Sequence, residues 1–97
     1  MSYKHSNSSI PRGLSLSRGW AAQSRSSAGL WWIDQLQGVI VEKDQQGDWR
    51  LLSPTAEPEL IEMMERNHLR GKVFATRRDA LQAAAMMCHL ENLPLVA

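Results

Sequence analysis

The sequence predicts an α+β fold: a small antiparallel sheet of three to four strands packed against two helices, with a disordered basic N-terminal arm. Three observations carry this. Acidic residues are missing from the first 29 positions, which hold Lys4, Arg12, Arg18 and Arg25, whereas the remaining 68 carry all ten acids and seven bases. Short runs of aromatic and β-branched residues, separated by Gly-containing turns, fill positions 30 to 52. Two segments with helical spacing, each preceded by capping or first-turn residues, fill the rest. The chain therefore divides into an arm, 1–29, and one small domain, 30–97. A body of this size is marginally stable alone, so its core is dense or a partner covers part of it.

The arm holds nine of the ten serines, with Pro11, Gly13, Gly19 and Gly29 interrupting it. It has few apolar groups to offset an ordering cost of about 1–2 kcal/mol per residue. Read blandly, it is a solubilising tail. Read as a device, it is an electrostatic arm in which Arg12, Arg18 and Arg25 recur every six or seven residues and reach separate phosphates, with Tyr3 and Trp20 as stacking surfaces. The serines beside Arg25 are candidate phosphorylation sites, where added phosphate would cancel the charge.

The body opens with Leu30-Trp31-Trp32-Ile33, a strand expected to run to about Leu36 and to break at Gln37-Gly38. Val39-Ile40-Val41-Glu42-Lys43 forms the next strand. Asp44 to Gly47 makes a turn in which Gly47 takes positive φ, and Asp48 to Leu52 returns as a hairpin partner. Alternation places Val39 with Val41 and Trp49 with Leu51 on shared faces. The linker 53–58 then feeds a helix with Pro58 in its first turn and Thr55 as the expected N-cap. Leu60, Ile61, Met64 and His68 form its stripe, and Gly71 is its expected stop. Lys72 to Ala75 is a candidate fourth strand. Thr76 caps the second helix, with Asp79 in the position a capping box reserves for Glu. Ala80, Leu81, Ala84, Met87, Cys88 and Glu91 follow at helical spacing, with a wide Ala-and-Met face that would let the helix lie close on a sheet, and Asn92 and Pro94 end it. Leu95-Val96 is a small strand or a tail.

Several function classes find no support in the sequence. No nucleophile elbow, P-loop or dinucleotide fingerprint occurs, and the expectation is a protein that is not an enzyme and uses no cofactor. His5, His68, His89 and Cys88 lack metal-ligand spacing, so no metal is expected. Cys88 reads as a small buried apolar residue, and a single cysteine suits a reducing cytoplasm. No window nears ~18 consecutive apolar residues, so no membrane span is expected. The N-terminal stretch lacks the apolar run of ~7–15 residues of a signal peptide.

Two binding constellations remain. Arg70, Lys72, Arg77 and Arg78 form a cationic cluster at the start of the second helix, where positive charge opposes the helix dipole by roughly a few tenths of a kcal/mol. It is either a solvated surface or a contact for phosphate or an acidic protein. Trp31 and Trp32, adjacent in a strand, face opposite sides of the sheet and cannot share one core. One of them is therefore either an interface residue or covered from elsewhere in the chain. The leading expectation is a small binding or regulatory module contacting nucleic acid through the arm and the start of the second helix. The alternative is a protein-interaction or homodimerisation module using the Trp-Leu strand. The strand-and-capped-helix ending, residues 73–84, is similar to small sheet-and-helix modules, some of which bind DNA through a three-stranded sheet, although the helix before it interrupts that pattern.

Overall fold

The hairpin read at residues 38–52 is the centre of the structure. In the computed structural model, which describes residues 10–18 and 30–94, four strands form one antiparallel sheet in chain order: β1 (Leu16–Arg18), β2 (Leu30–Ile33), β3 (Ile40–Lys43) and β4 (Trp49–Leu52). Two helices follow, α1 (Pro58–Arg66) and α2 (Arg77–Leu90). The fold is thus α+β, a four-stranded antiparallel sheet with two helices. Among the described residues, no helix is long and apolar enough to cross a membrane.

Cross-strand partners sort the side chains by face. Trp31, Val41 and Leu51 lie in register across β2, β3 and β4, and Leu16 pairs with Ile33. This inner face packs on α2, whose Ala80, Leu81, Ala84, Met87 and Cys88 are buried against Ile33, Val41 and Leu51. The small alanines let the helix lie close on the sheet, as their spacing implies. Burying each Val- or Leu-sized side chain here supplies about 1.5–3 kcal/mol. On the outer face, Trp32, Ile40 and Leu52 lie in register, as do Leu30, Glu42 and Arg50. Leu30 and Ile40 are buried but lie outside the main core cluster.

The fourth strand comes from an unexpected place. It is not Lys72–Ala75, which contributes only an isolated bridge between Phe74 and Trp49. It is β1, inside the segment assigned to the arm. Leu14 is 7% exposed in the main core, with Ile10 and Leu16 packed at its margin. The Ser15 and Ser17 hydroxyls donate to the two oxygens of Asp34 at 2.7 and 2.6 Å, and the Gln35 side chain accepts from the Ser15 N–H at 2.9 Å. Three apolar groups and a serine pair with a specific carboxylate partner are enough to order this stretch. The folded body therefore includes residues 10–18.

The remaining differences are local. Strand β2 stops at Ile33 instead of Leu36 because Asp34 is held by β1, while Leu36 turns inward to a fully buried position. Two turn bonds, Leu36 N–H to Ile33 O and Val39 N–H to Leu36 O, close the bend. Gly38 takes φ +105°, and a Cβ there would sit 2.8 Å from Leu60 Cδ1. The N-cap of α1 is Glu57, which makes no side-chain cap hydrogen bond, instead of Thr55, which is exposed. The buried side chains of α1 are Met63 and Met64, and His68 is exposed. His68 also takes the left-handed position at φ 60°, two residues past the end of α1 and ahead of Gly71, allowing Leu69 N–H to bond Met64 O at 2.7 Å. Thr76 does cap α2, accepting from Asp79 N–H at 3.0 Å. Leu95-Val96 lies outside the described residues.

Candidate functional site

The turn end of the β3–β4 hairpin gathers aromatic rings and cations. Trp31 on β2 and Trp49 on β4 point to the inner face from either side of β3, two strand spacings apart. Between them stands the small, fully buried Val41. The two indoles therefore meet over β3, with ring centroids 6.2 Å apart and planes inclined by 26°. Helix α2 begins beside them, and its first residue, Arg77, sets its guanidinium 4.8 Å from the Trp31 ring centroid. Such cation–π contacts contribute about 0.5–2 kcal/mol depending on exposure. The backbone bridge between Trp49 and Phe74, with N···O distances of 2.7 and 2.8 Å, draws in the next ring. Lys72 Nζ stands 5.6 Å from the Phe74 centroid. Trp31, Trp49 and Arg77 are each half-buried.

This arrangement accounts for the position of Arg77 despite the helix dipole. The indole quadrupole attracts the guanidinium, and this attraction offsets a dipole penalty of roughly a few tenths of a kcal/mol. Arg78, about 100° further round the helix, is exposed, as is Lys72.

Charge is segregated along the sheet. Lys43, in register with Trp49, and the cluster of Lys72, Arg77 and Arg78 lie at the Trp49 end. Helix α1, with Glu59, Glu62 and Glu65, packs at the other end, where Gly38 is approached by Leu60 and Glu57. One acid at the cationic end, Asp44, is engaged: burial raises its pKa, but N–H donation from Asp48, the Arg50 guanidinium and N–H donation from Gln46 outweigh it and leave the carboxyl below its ordinary value.

The structure divides the residues singled out from the sequence. Arg77, Lys72 and Trp31 come together. Arg70 does not join them as a ready phosphate contact, because its Nη1 lies 2.7 Å from Glu65 Oε2. Arg12 is exposed beside the turn preceding Leu14. Arg18 ends β1 in register with Trp31, and Arg25 lies outside the described residues. Trp32, on the outer face, is half-buried beside Ile40 and Leu52. The two tryptophans thus occupy opposite sides of the sheet, and neither is fully covered.

Trp49 is the residue sequence reading passed over. Its signal was present: it alternates with Leu51 on the core face, and its partner on β3 is Lys43, two residues along from the Val41 that faces Trp31. The cue missed was that a small residue between two large inward-facing rings lets them touch.

Elsewhere, Cys88 is fully buried and its thiol pKa is raised by that burial, which suits a core residue. Among the described residues, no group of three or more His, Cys, Asp and Glu is placed to hold a metal ion. Neither protein-family models, curated proteins nor solved structures yield a match to this chain.

Proposed function

We propose that this protein is a non-enzymatic binding module that contacts nucleic acid through the surface built from Trp31, Trp49, Arg77 and Lys72, with Arg78 and the N-terminal Arg12 and Arg18 adding phosphate attraction. One observation carries the reading: a guanidinium set over an indole that is itself stacked on a second indole, at the end of the sheet where Lys43, Lys72, Arg77 and Arg78 gather. Aromatic planes interleaved with cations suit a polymer of bases and phosphates. Helix α1, carrying the opposite charge, lies at the far end and would face away from the polyanion.

The test is retention of labelled nucleic acid at about 50 mM salt by the full chain and by the Arg77→Ala/Arg78→Ala variant. The wild type binds, and the double variant binds several-fold more weakly with an unchanged circular dichroism spectrum. No retention by the wild type at low salt defeats the proposal.

A second reading is favoured by a different observation. The outer face carries half-buried Trp32 and Leu52 beside Leu30 and Ile40, and an apolar sheet face of this kind fits a protein partner or a second copy of the chain. Sedimentation showing only monomer at high concentration removes the homodimer version.

A further inference from the structure

Independently of the nucleic-acid reading, we infer that Ser17 is a phosphorylation site, and that phosphate there releases the edge strand β1 from the sheet. Strand β1 pairs on one side only, with β2. Its register sets Ser17 opposite Trp32, and the Asp34 N–H donates to Ser15 O at 3.0 Å. Both serine side chains therefore lie on the outer face, on either side of one carboxylate. Ser17 Oγ donates to Asp34 Oδ1 at 2.6 Å and Ser15 Oγ to Oδ2 at 2.7 Å. The ion pairs of the described residues lie elsewhere, at Asp44, Glu65 and Glu91, so no described cation neutralises this carboxylate.

Of the serines among the described residues, Ser17 is the exposed one. Ser15 is half-buried, and its Oγ also accepts from Gln35 Nε2 at 3.1 Å. The Ser53 Oγ is buried. Strand β1 thus presents Ser17 in an extended stretch at a sheet edge, flanked in sequence by Arg12 and Arg18 and free of acids throughout the first 29 positions. An enzyme with an acidic substrate groove reads such a segment by its charge. In the transfer, Ser17 Oγ attacks the γ-phosphorus of a nucleoside triphosphate. The new P–O bond forms as the bond to the β–γ bridging oxygen breaks, the hydroxyl proton passes to the enzyme's base, and the nucleoside diphosphate leaves.

The product reverses the contact. A donor hydroxyl becomes a set of acceptor oxygens carrying a charge of about −1.5 to −2. Ionised Asp34 only accepts, so the hydrogen bond is lost and repulsion replaces it. Like charges facing each other across paired strands destabilise the pairing. Strand β1 yields because β2 is held by β3 on its other side, whereas β1 has only its ladder to β2, the serine contacts, and Leu14 with the partly buried Ile10 and Leu16. Its release frees residues 10–18 and uncovers the margin of the core that Leu14 closes.

The experiment uses the full chain with phosphoserine installed at position 17, read by amide hydrogen exchange. The Asp34 N–H reports on β1, and the Asp44 N–H, bonded to Asp48 O at 2.8 Å in the β3–β4 turn, reports on the rest of the sheet. Phosphoserine speeds exchange at Asp34 at least about tenfold and leaves Asp44 within about twofold. Ser17→Ala, which loses the bond without adding charge, gives a smaller effect. Asp34→Asn diminishes the phosphoserine effect, because its amide can donate to phosphate. Unchanged exchange at Asp34, equal acceleration at Asp44, a Ser17→Ala effect as large as that of phosphoserine, or an effect undiminished by Asp34→Asn each overturns the release. Mass-spectrometric mapping of the chain isolated from its native cells tests the site: phosphate on Ser17 supports the assignment, and an unmodified Ser17 overturns it.

Discussion

Leu14 offers a sharp test of the fold, because it is an apolar residue in a stretch whose composition reads as a loose tail. Its side chain is 7% exposed within the main core, at the end of the turn that leads into β1. Replacing it with alanine removes three carbons. At about 0.8 kcal/mol for each, the lost transfer free energy is about 2.4 kcal/mol. A cavity contribution adds to this, but Leu14 lies at the margin, near the partly buried Ile10 and Leu16. Partial collapse there holds the total near the lower part of the usual Leu→Ala range of about 2–5 kcal/mol. We predict a loss of about 2–3 kcal/mol, or a melting temperature lower by roughly 10–20 °C for a domain of this size. Urea unfolding followed by tryptophan fluorescence measures it, with Arg12→Ala, an exposed neighbour, as the control expected to change stability by less than about 0.5 kcal/mol. A Leu14→Ala loss no larger than the control's would refute the inclusion of residues 10–18 in the folded body.

Other predictions follow from single contacts. Thr76→Ala removes the acceptor for Asp79 N–H and costs about 0.5–2 kcal/mol in chemical denaturation. Gly38→Ala strains a residue at φ +105° and drives its new methyl against Leu60, so it destabilises by more than about 1 kcal/mol in the same assay. Acid titration reports on Glu91, whose carboxyl is lowered to about 2 by the Arg66 guanidinium and by Asn67. Because the folded value lies below the ordinary 4.5, its contribution is complete above about pH 4.5 and fades as pH falls towards 2. Glu91→Gln should flatten the stability profile across that window, and an unchanged profile would discount the Arg66–Glu91 contact. Cys88 should react with a thiol reagent only as fast as the chain opens, since it is fully buried and its pKa is raised; rapid labelling of the native protein would contradict its placement.

Much of this architecture is legible in local sequence. The 38–52 hairpin follows from Gly47 at φ +90° and from the alternation on either side of the turn. Helix α2 follows from Thr76 and the spacing of Ala80, Leu81, Ala84, Met87 and Cys88. The edge strand β1 was illegible because what orders it is distant in sequence: Asp34 binds Ser15 and Ser17 across nineteen and seventeen residues. Composition marks those serines as tail residues, and nothing local announces their partner. Helix α1 shows a similar limit. Thr55 has the chemistry of a cap, yet the backbone places Glu57 at that position after Ala56 turns through φ 53°.

The candidate site divides along the same line. Arg77, Arg78 and Lys72 are recognisable as a cationic cluster from their order in the chain. The ion pair that ties Arg70 to Glu65 is local and was open to notice, because five residues spanning a helix end can bring two side chains together. The Trp31–Trp49 contact needs the register of three strands, in which Trp31 faces Val41 and Trp49 faces Lys43. Strand alternation already parts Trp31 from Trp32, but only that register makes Trp31 one half of a stack with Trp49 beside Arg77.

Indole N–H resonances in a two-dimensional NMR titration with oligo(dT) test the functional account most directly. The account predicts that the Trp31 and Trp49 signals shift together as the oligonucleotide is added, while that of Trp32, on the opposite face, stays in place. Movement of Trp32 with Trp31 and Trp49 unchanged, or no movement of any of the three at low salt, would contradict it.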